Sequence, residues 1–194
     1  MIGKEPLSLN FQFTETLNQL ERESSHFYIT GKAGTGKSTL LSLFRSTTKK
    51  RVAVLAPTGI ASLNVKGQTI HSFFRFPPRM INESDIVKTN FHKLYKNLDA
   101  IIIDEISMVR ADVLDNINVF LQKNRDNKLP FGGVQMIFFG DFFQLPPIVS
   151  SPFEKSYFKE VYASPYFFSA KVMSGLDFKV CELHQIFRQS EMRF

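Results

Sequence analysis

Gly31-Lys-Ala-Gly-Thr-Gly-Lys-Ser-Thr39 holds the residues of this chain best suited to chemistry. From Gly31 to Ser38 it fits the phosphate-loop spacing G-x-x-x-x-G-K-[ST]. The chemistry of that spacing is anion capture. Glycines let the backbone wrap a phosphate with its N–H groups pointing inward, and a following helix offers the positive end of its dipole. Gly31, Ala33, Gly34, Thr35, Gly36, Lys37, Ser38 and Thr39 therefore read as the cradle of a nucleoside triphosphate. Lys37 is placed to reach the β- and γ-phosphates, and the Ser38 hydroxyl to hold Mg²⁺. The alternative is a glycine-rich turn without a ligand. The flanks oppose it: His26 to Thr30 reads as a strand entering the loop, and Leu40, Leu41, Leu43 and Phe44 as the buried face of a helix leaving it.

Two further groups of residues carry chemistry. Ile101-Ile-Ile-Asp104-Glu105 is an apolar run that delivers adjacent carboxylates. Buried acids need a counter-charge, and Mg²⁺ would supply it. Asp104 is assigned to the metal through water, and Glu105 to positioning and deprotonating an attacking water. A helix N-terminus, which also favours acids, is the alternative. In Gly140-Asp-Phe-Phe-Gln144-Leu-Pro-Pro147, Gln144 has the chemistry to sense a γ-phosphate or orient water. A turn fixed by Pro146 and Pro147 accounts for the same residues equally well.

These residues need elements to position them. Phe13, Leu17 and Leu20 recur at helical spacing. Strands are predicted at Arg51–Leu55, Ala100–Ile103, Val134–Phe139 and Phe178–Leu183, in addition to the one entering the loop. Val109, Val113, Ile117, Phe120 and Leu121 follow with helical period. Alternating strands and helices predict an α/β domain, with a mostly parallel sheet covered by helices on both faces. Ligands of such sheets collect beyond the strand carboxyl ends, and every polar group above directly follows a predicted strand. Residues 75–97, with Pro77-Pro78 and Asn82-Glu-Ser-Asp85, read as a surface excursion. Ser150 to Tyr166 reads as a long connection holding a short helix.

The length of 194 residues suits one domain, and 43% apolar residues suffice for a core. The net charge of +6 is compatible with nucleic acid without requiring it. Cys181 is the single cysteine, so no intramolecular disulfide forms and a reducing compartment is expected. Its apolar surroundings make it a strand residue rather than a nucleophile. No window approaches eighteen consecutive apolar residues and no signal peptide is visible, so no membrane partner is expected.

Taken together, the motifs resemble superfamily-one DNA helicases of the PIF (petite integration frequency) family, relatives of RecD-type helicases. The matching strings are Thr30 to Thr39, Ala56-Pro-Thr-Gly-Ile-Ala-Ser62, Gly67-Gln-Thr-Ile-His-Ser-Phe-Phe74, Ile103-Asp-Glu-Ile-Ser-Met108, Gly140 to Pro147 and Phe187-Arg-Gln189. They occur in the family's order over most of the chain. The resemblance implies a RecA-like P-loop NTPase domain that uses ATP and Mg²⁺ to drive 5′-to-3′ movement on single-stranded DNA. It also implies the family's work in DNA repair, recombination and telomere maintenance. By the same resemblance, Thr58 and Gly59 touch DNA phosphates, Thr69 and His71 form a second DNA-contacting motif, and Phe73 is placed beside them, where an exposed ring would stack on a base. The rings of Phe73, Phe74 and Phe76 also read as core. Gln144 would couple the γ-phosphate to DNA, Arg188 would reach the γ-phosphate, and Gln12, in Leu9-Asn-Phe-Gln12, is the candidate adenine reader. The family continues into a second RecA-like domain, so residues 1–194 read as the first, ATP-binding half of a monomeric helicase, largely inactive alone. The cytoplasm of a bacterium or phage-infected cell is the expected compartment, with nuclear and mitochondrial homes left open. The competing readings are an NTPase of another class (switch, clamp-loader-like or small kinase) and a non-catalytic DNA-binding module.

Overall fold

The computed structural model of the chain describes residues 11–184. Its main elements run α1 (Phe11–Arg22), β1 (His26–Gly31), α2 (Lys37–Thr47), β2 (Val52–Ala56), α3 (Gly59–Asn64), β3 (Gln68–Thr69), α4 (Ile70–Phe74), α5 (His92–Lys96), β4 (Ala100–Ile103), α6 (Ala111–Arg125), β5 (Gln135–Phe139), α7 (Pro152–Val161) and β6 (Phe178–Leu183). The strands form one sheet in the order β3-β2-β4-β5-β1-β6. Every pairing in it is parallel.

The central strands are apolar throughout because both sheet faces are covered. All four residues of β4 and all five of β5 are buried. Their side chains alternate between two cores, as the period of two in a strand demands. Ile101, Ile103, Met136 and Phe138 join Phe74, Tyr95 and Phe120 on one face. Ala100, Ile102, Ile137 and Phe139 join Phe13, Leu40 and Phe44 on the other. The five strands expected from the sequence are present, as are helices on both faces. In α2, Leu40, Leu41 and Phe44 are fully buried and Leu43 partly so.

Two expectations are corrected. The sheet has a sixth strand, β3, whose two residues are too few to carry a pattern. Gly67 admits it, since a Cβ there would lie 2.3 Å from the Val54 carbonyl oxygen. The segment 75–97 is only partly a surface excursion. Phe76, Ile86 and Tyr95 are buried. The Tyr95 ring packs edge-on to Phe120 at 4.9 Å, and its hydroxyl donates to the Phe73 carbonyl at 2.9 Å. Three apolar residues about ten positions apart, set among charges, produce no readable period. Among the described residues, no helix is long and apolar enough to cross a membrane.

The strand order has a direct consequence. Neighbouring strands lie about 4.8 Å apart, so the carboxyl ends form a single rim. Along it, the exits of β3, β2, β4, β5 and β1 present Thr69, Thr58, Asp104, Gly140 and Gly31 in turn.

Candidate functional site

The phosphate loop joins β1 to α2. Gly34 and Gly36 adopt φ of 82° and 87°, and Gly31 adopts 149°, conformations open to glycine and strained for other residues. A Cβ on Gly31 would also lie 2.6 Å from both the Leu183 carbonyl oxygen and the Thr35 hydroxyl. Thr35 is buried, and its hydroxyl donates to the Lys32 carbonyl at 2.9 Å, pinning the loop from inside. Gly36 caps α2 without a side chain, so the first N–H groups of an eleven-residue helix face the loop. The Lys37 ammonium donates to the carbonyls of Gly31 at 2.6 Å and Lys32 at 3.2 Å. Ala33, Gly34 and Ser38 are exposed and Thr39 half-buried, so the loop's outer surface is open.

Asp104 leaves β4 with its N–H donating to the Leu55 carbonyl at 2.9 Å, one step beyond the last β2–β4 pair. Its side chain is 9% exposed. Burial, and then the neighbouring Glu105 carboxylate, push its carboxyl up to about 6, while the charge of Lys37 pulls it back. Lys37 and Asp104 therefore feel each other across the β4–β1 gap. Glu105, half-buried, takes the left-handed conformation (φ 51°, ψ 44°) and starts a tight turn over Ile106–Met108. Gly140 lies against that turn: a Cβ on it would come within 2.8 Å of Ile106 Cγ2. Beyond it, the buried Asp141 carboxylate accepts from the Phe143 N–H at 3.0 Å, and its carbonyl from the Gln144 N–H at 3.1 Å. The Gln144 amide nitrogen stands 3.4 Å from Asp141 Oδ2. The structure thus brings Lys37, Asp104, Glu105 and Gln144 to one rim.

The other end of the rim is built from two helix caps. Thr58 Oγ1 accepts from the Ala61 N–H at 3.2 Å, and Thr69 Oγ1 from the Ser72 N–H at 3.1 Å. Each hydroxyl keeps its own proton to donate. The space around Gly59 is open, with no atom within 4 Å of a Cβ placed there. His71 is half-buried, its ring edge-on to Phe76 at 6.4 Å. Burial and the charge of Arg110 lower its pKa, against an opposing pull from Asp112.

Phe73, expected beside the DNA-contacting motif, is packed inside the domain. Its ring is 9% exposed and packs edge-on to Phe74 and Tyr95 at 5.0 and 5.5 Å, so it belongs to the core. Gln12 lies in α1, and its side-chain nitrogen donates to the Glu182 carbonyl at 2.6 Å, one residue before the Leu183 that adjoins Gly31. Arg188 and the string Phe187-Arg-Gln189 lie outside the described residues.

The sequence reading missed a charged clasp beside His71. Arg110 holds Asp112 in a two-pronged pair at 2.6 and 2.9 Å and reaches Glu154 at 2.6 Å. All three side chains are at most 16% exposed. Glu154 also closes the cap of α7 through the Ser151 N–H. Arg110-Ala-Asp112 hints at such a pair, but nothing in the sequence links it to Glu154.

A family model described as PIF1-like helicase matches residues 12–193. The ATP-dependent DNA helicase PIF1 of Saccharomyces cerevisiae is 39% identical over 156 residues, which are 71% of this chain and 17% of that protein. The Pif1 of Psychrobacter sp. is 36% identical over 176 residues, 87% of this chain and 26% of that protein. Among solved structures, Bacteroides Pif1 bound to ssDNA superposes with a TM-score of 0.85 at 38% identity, over 96% of this chain and 44% of that one. Bacteroides Pif1 with ADP-AlF3 and ssDNA gives 0.86 at 39% identity, with the same coverage. The chain therefore spans about a quarter or less of these two curated relatives and under half of the solved chains. With the loop, the paired acids and the sheet order in agreement, the chain belongs to the PIF1-like helicase family.

Proposed function

We propose that this chain is the first RecA-like, ATP-binding domain of a DNA helicase that couples ATP hydrolysis to 5′-to-3′ movement along single-stranded DNA. The observation that carries the proposal is the strand order β2-β4-β5-β1. It sets the phosphate loop, the paired acids and Gln144 beside one another, and the threonine-capped turn at Thr58 immediately beyond the acids. Relatives with this fold have been solved with ssDNA and with ADP-AlF3.

The loop N–H groups and Lys37 would bind and orient the ATP polyphosphate. The residues present also fit Mg²⁺. Asp104 is a buried carboxylate with no ion pair among the described residues, and Ser38 adds an exposed hydroxyl oxygen; both are hard donors. Among the described residues no cluster of three or more His, Cys, Asp or Glu could hold a metal unaided, as expected where substrate phosphates complete the ligand set. When bound, Mg²⁺ supplies charge neutralisation at the phosphate oxygens. Glu105 takes the proton of the attacking water, and Gln144 orients that water or reads the γ-phosphate. Arg188 and a second RecA-like domain would complete the site. An arginine supplied to the transferring phosphate is worth about 10³–10⁵ in rate, so the 194-residue chain alone is expected to hydrolyse ATP slowly.

The test is polarity of unwinding by the full-length protein. Duplexes with a 5′ single-stranded tail should be separated in the presence of ATP and those with a 3′ tail left intact. Separation of 3′-tailed duplexes, or separation without ATP, would overturn the proposal.

A further inference from the structure

At the end of the sheet opposite the phosphate loop, a cleft of about 350 Å³ opens among Ser24, Lys50, Asp99 and Gln135. These residues stand where strands begin. Ser24 precedes β1, Lys50 precedes β2, Asp99 precedes β4, and Gln135 opens β5. Because the pairings are parallel, all four starts share one rim. Strands of four to six residues separate that rim from the loop. At about 3.3 Å per residue, the separation is roughly 13–20 Å. Arg22, in the last turn of α1, and Arg125, in the last turn of α6, also line the cleft.

Charge in the cleft is unbalanced. Its two carboxylates already have partners. Asp99 accepts a two-pronged pair from Arg51 at 2.9 and 3.0 Å, and Glu23 pairs with Lys179 at 2.6 Å. Among the described residues, the three lining cations Arg22, Lys50 and Arg125 form no ion pair. The Lys50 ammonium donates to neutral oxygens instead: the carbonyls of Leu20 and Glu23 at 2.6 and 2.8 Å, and Gln135 Oε1 at 2.7 Å. Arg125 donates from Nε to the Gly132 carbonyl and from Nη1 to the carbonyls of Tyr95 and Leu98. Burial lowers the pKa of both cations, and nearby carboxylates oppose it only in part. The carboxyl ends of α1 and α6 subtract about half a charge each, which leaves a positive excess.

The donors at the mouth are open. Arg22 and Ser24 are exposed. Among the described residues, neither of their side chains, nor Arg125 Nη2, has a hydrogen-bond partner. Tying carbonyls together accounts for Lys50 and for two nitrogens of Arg125. It does not account for three open donors converging on one cleft. Two guanidinium groups and a hydroxyl, backed by an ammonium charge, suit the oxygens of a phosphate.

We propose that this cleft binds a phosphate group, held by Arg22, Ser24 and Arg125 Nη2, at a site separate from the phosphate loop. A free phosphate and a backbone phosphate of a nucleic-acid strand present the same chemistry here.

The experiment is a calorimetric titration of the full-length protein with inorganic phosphate. Binding should persist in Lys37→Ala, which disables the loop. It should weaken at least about tenfold in Arg22→Glu and in Ser24→Asp, as for the loss of one hydrogen bond to a charged group. Both positions are exposed and remote from the loop, so basal ATP hydrolysis should be unchanged and reports an intact fold. A second arm measures the salt dependence of single-strand binding. A slope reduced by about 0.7 in Arg22→Glu assigns the phosphate to a bound strand. An unchanged slope, with phosphate binding weakened, assigns it to free phosphate. With an unchanged slope, phosphate binding that is absent, lost in Lys37→Ala, or indifferent to both cleft substitutions would overturn the proposal. If the full-length protein binds no single strand, the DNA reading fails and the phosphate titration alone decides this one.

Discussion

The Lys37 ammonium donates to the carbonyl of Gly31 at 2.6 Å, so the first residue of α2 closes the phosphate loop onto the last residue of β1. A phosphate arriving in the loop would compete with that carbonyl for the same ammonium. Lys37→Ala removes the charge proposed to meet the phosphate but no buried apolar surface. We expect hydrolysis by the full-length protein to fall at least about a hundredfold, the usual cost of losing one preorganised donor to transition-state charge. The urea midpoint should move by less than about 1 kcal/mol equivalent. Lys37→Arg should not rescue hydrolysis, because a planar fork does not replace a point charge in so tight a loop.

Asp104 is held against its own preference. Its folded pKa of about 6 lies above the ordinary 3.8. The folded state therefore binds the proton more tightly, and the associated stability is full below pH 3.8 and lost as pH rises through 6. In buffer with EDTA and no nucleotide, Asp104→Asn should stabilise the chain at pH 8, by at most about 3 kcal/mol. The gain should shrink toward pH 4, and hydrolysis should be abolished. Denaturant unfolding at the two pH values, beside an ATPase assay, checks all three.

Glu154 has the opposite sign. The Ser151 N–H first, and the Arg110 guanidinium with it, hold its carboxyl down at about 2 against an ordinary 4.5. Its contribution is full above pH 4.5 and disappears as pH falls toward 2. Glu154→Gln should therefore cost about 1–2 kcal/mol at pH 7, and the difference from the parent chain should narrow at pH 3. Urea titrations of the two chains at both pH values measure it.

Phe73 separates packing from recognition. Phe73→Ala should cost about 3–5 kcal/mol of stability, as for other buried aromatic truncations. Phe73→Leu, which keeps most of the volume, should cost under about 1.5 kcal/mol and leave single-strand affinity intact. A stacking ring would instead lose about 1–3 kcal/mol of binding on either change. Thermal unfolding and a DNA titration of the Leu variant distinguish the two.

Much of this architecture was legible in the chain itself. Ala100-Ile-Ile-Ile103 and its companions are strands buried on both faces, and such strands announce themselves as unbroken apolar runs. The phosphate loop was legible because each of its glycines is required by backbone geometry, as Gly31 shows with no room for a Cβ. Strand order was not legible, since parallel pairing is set by long crossovers that leave no local mark; yet strand order is what places Asp104 near Lys37. The sequence also hid which phenylalanines face solvent. Phe73 is buried while Phe143 is 96% exposed, and a chain with 21 phenylalanines gives little contrast by type. The Arg110–Glu154 pair spans 44 positions, a distance over which charge patterning carries no signal.

Nucleotide chemistry at Lys37, Asp104 and Glu105 should respond to a strand lying beside Thr58 and Thr69. Steady-state ATP hydrolysis by the full-length protein, with and without single-stranded DNA, measures that response. The strand should raise the rate at least about tenfold, and changes at Thr58 and Thr69 should reduce that increase but not the basal rate. A rate that is the same with and without DNA would contradict it.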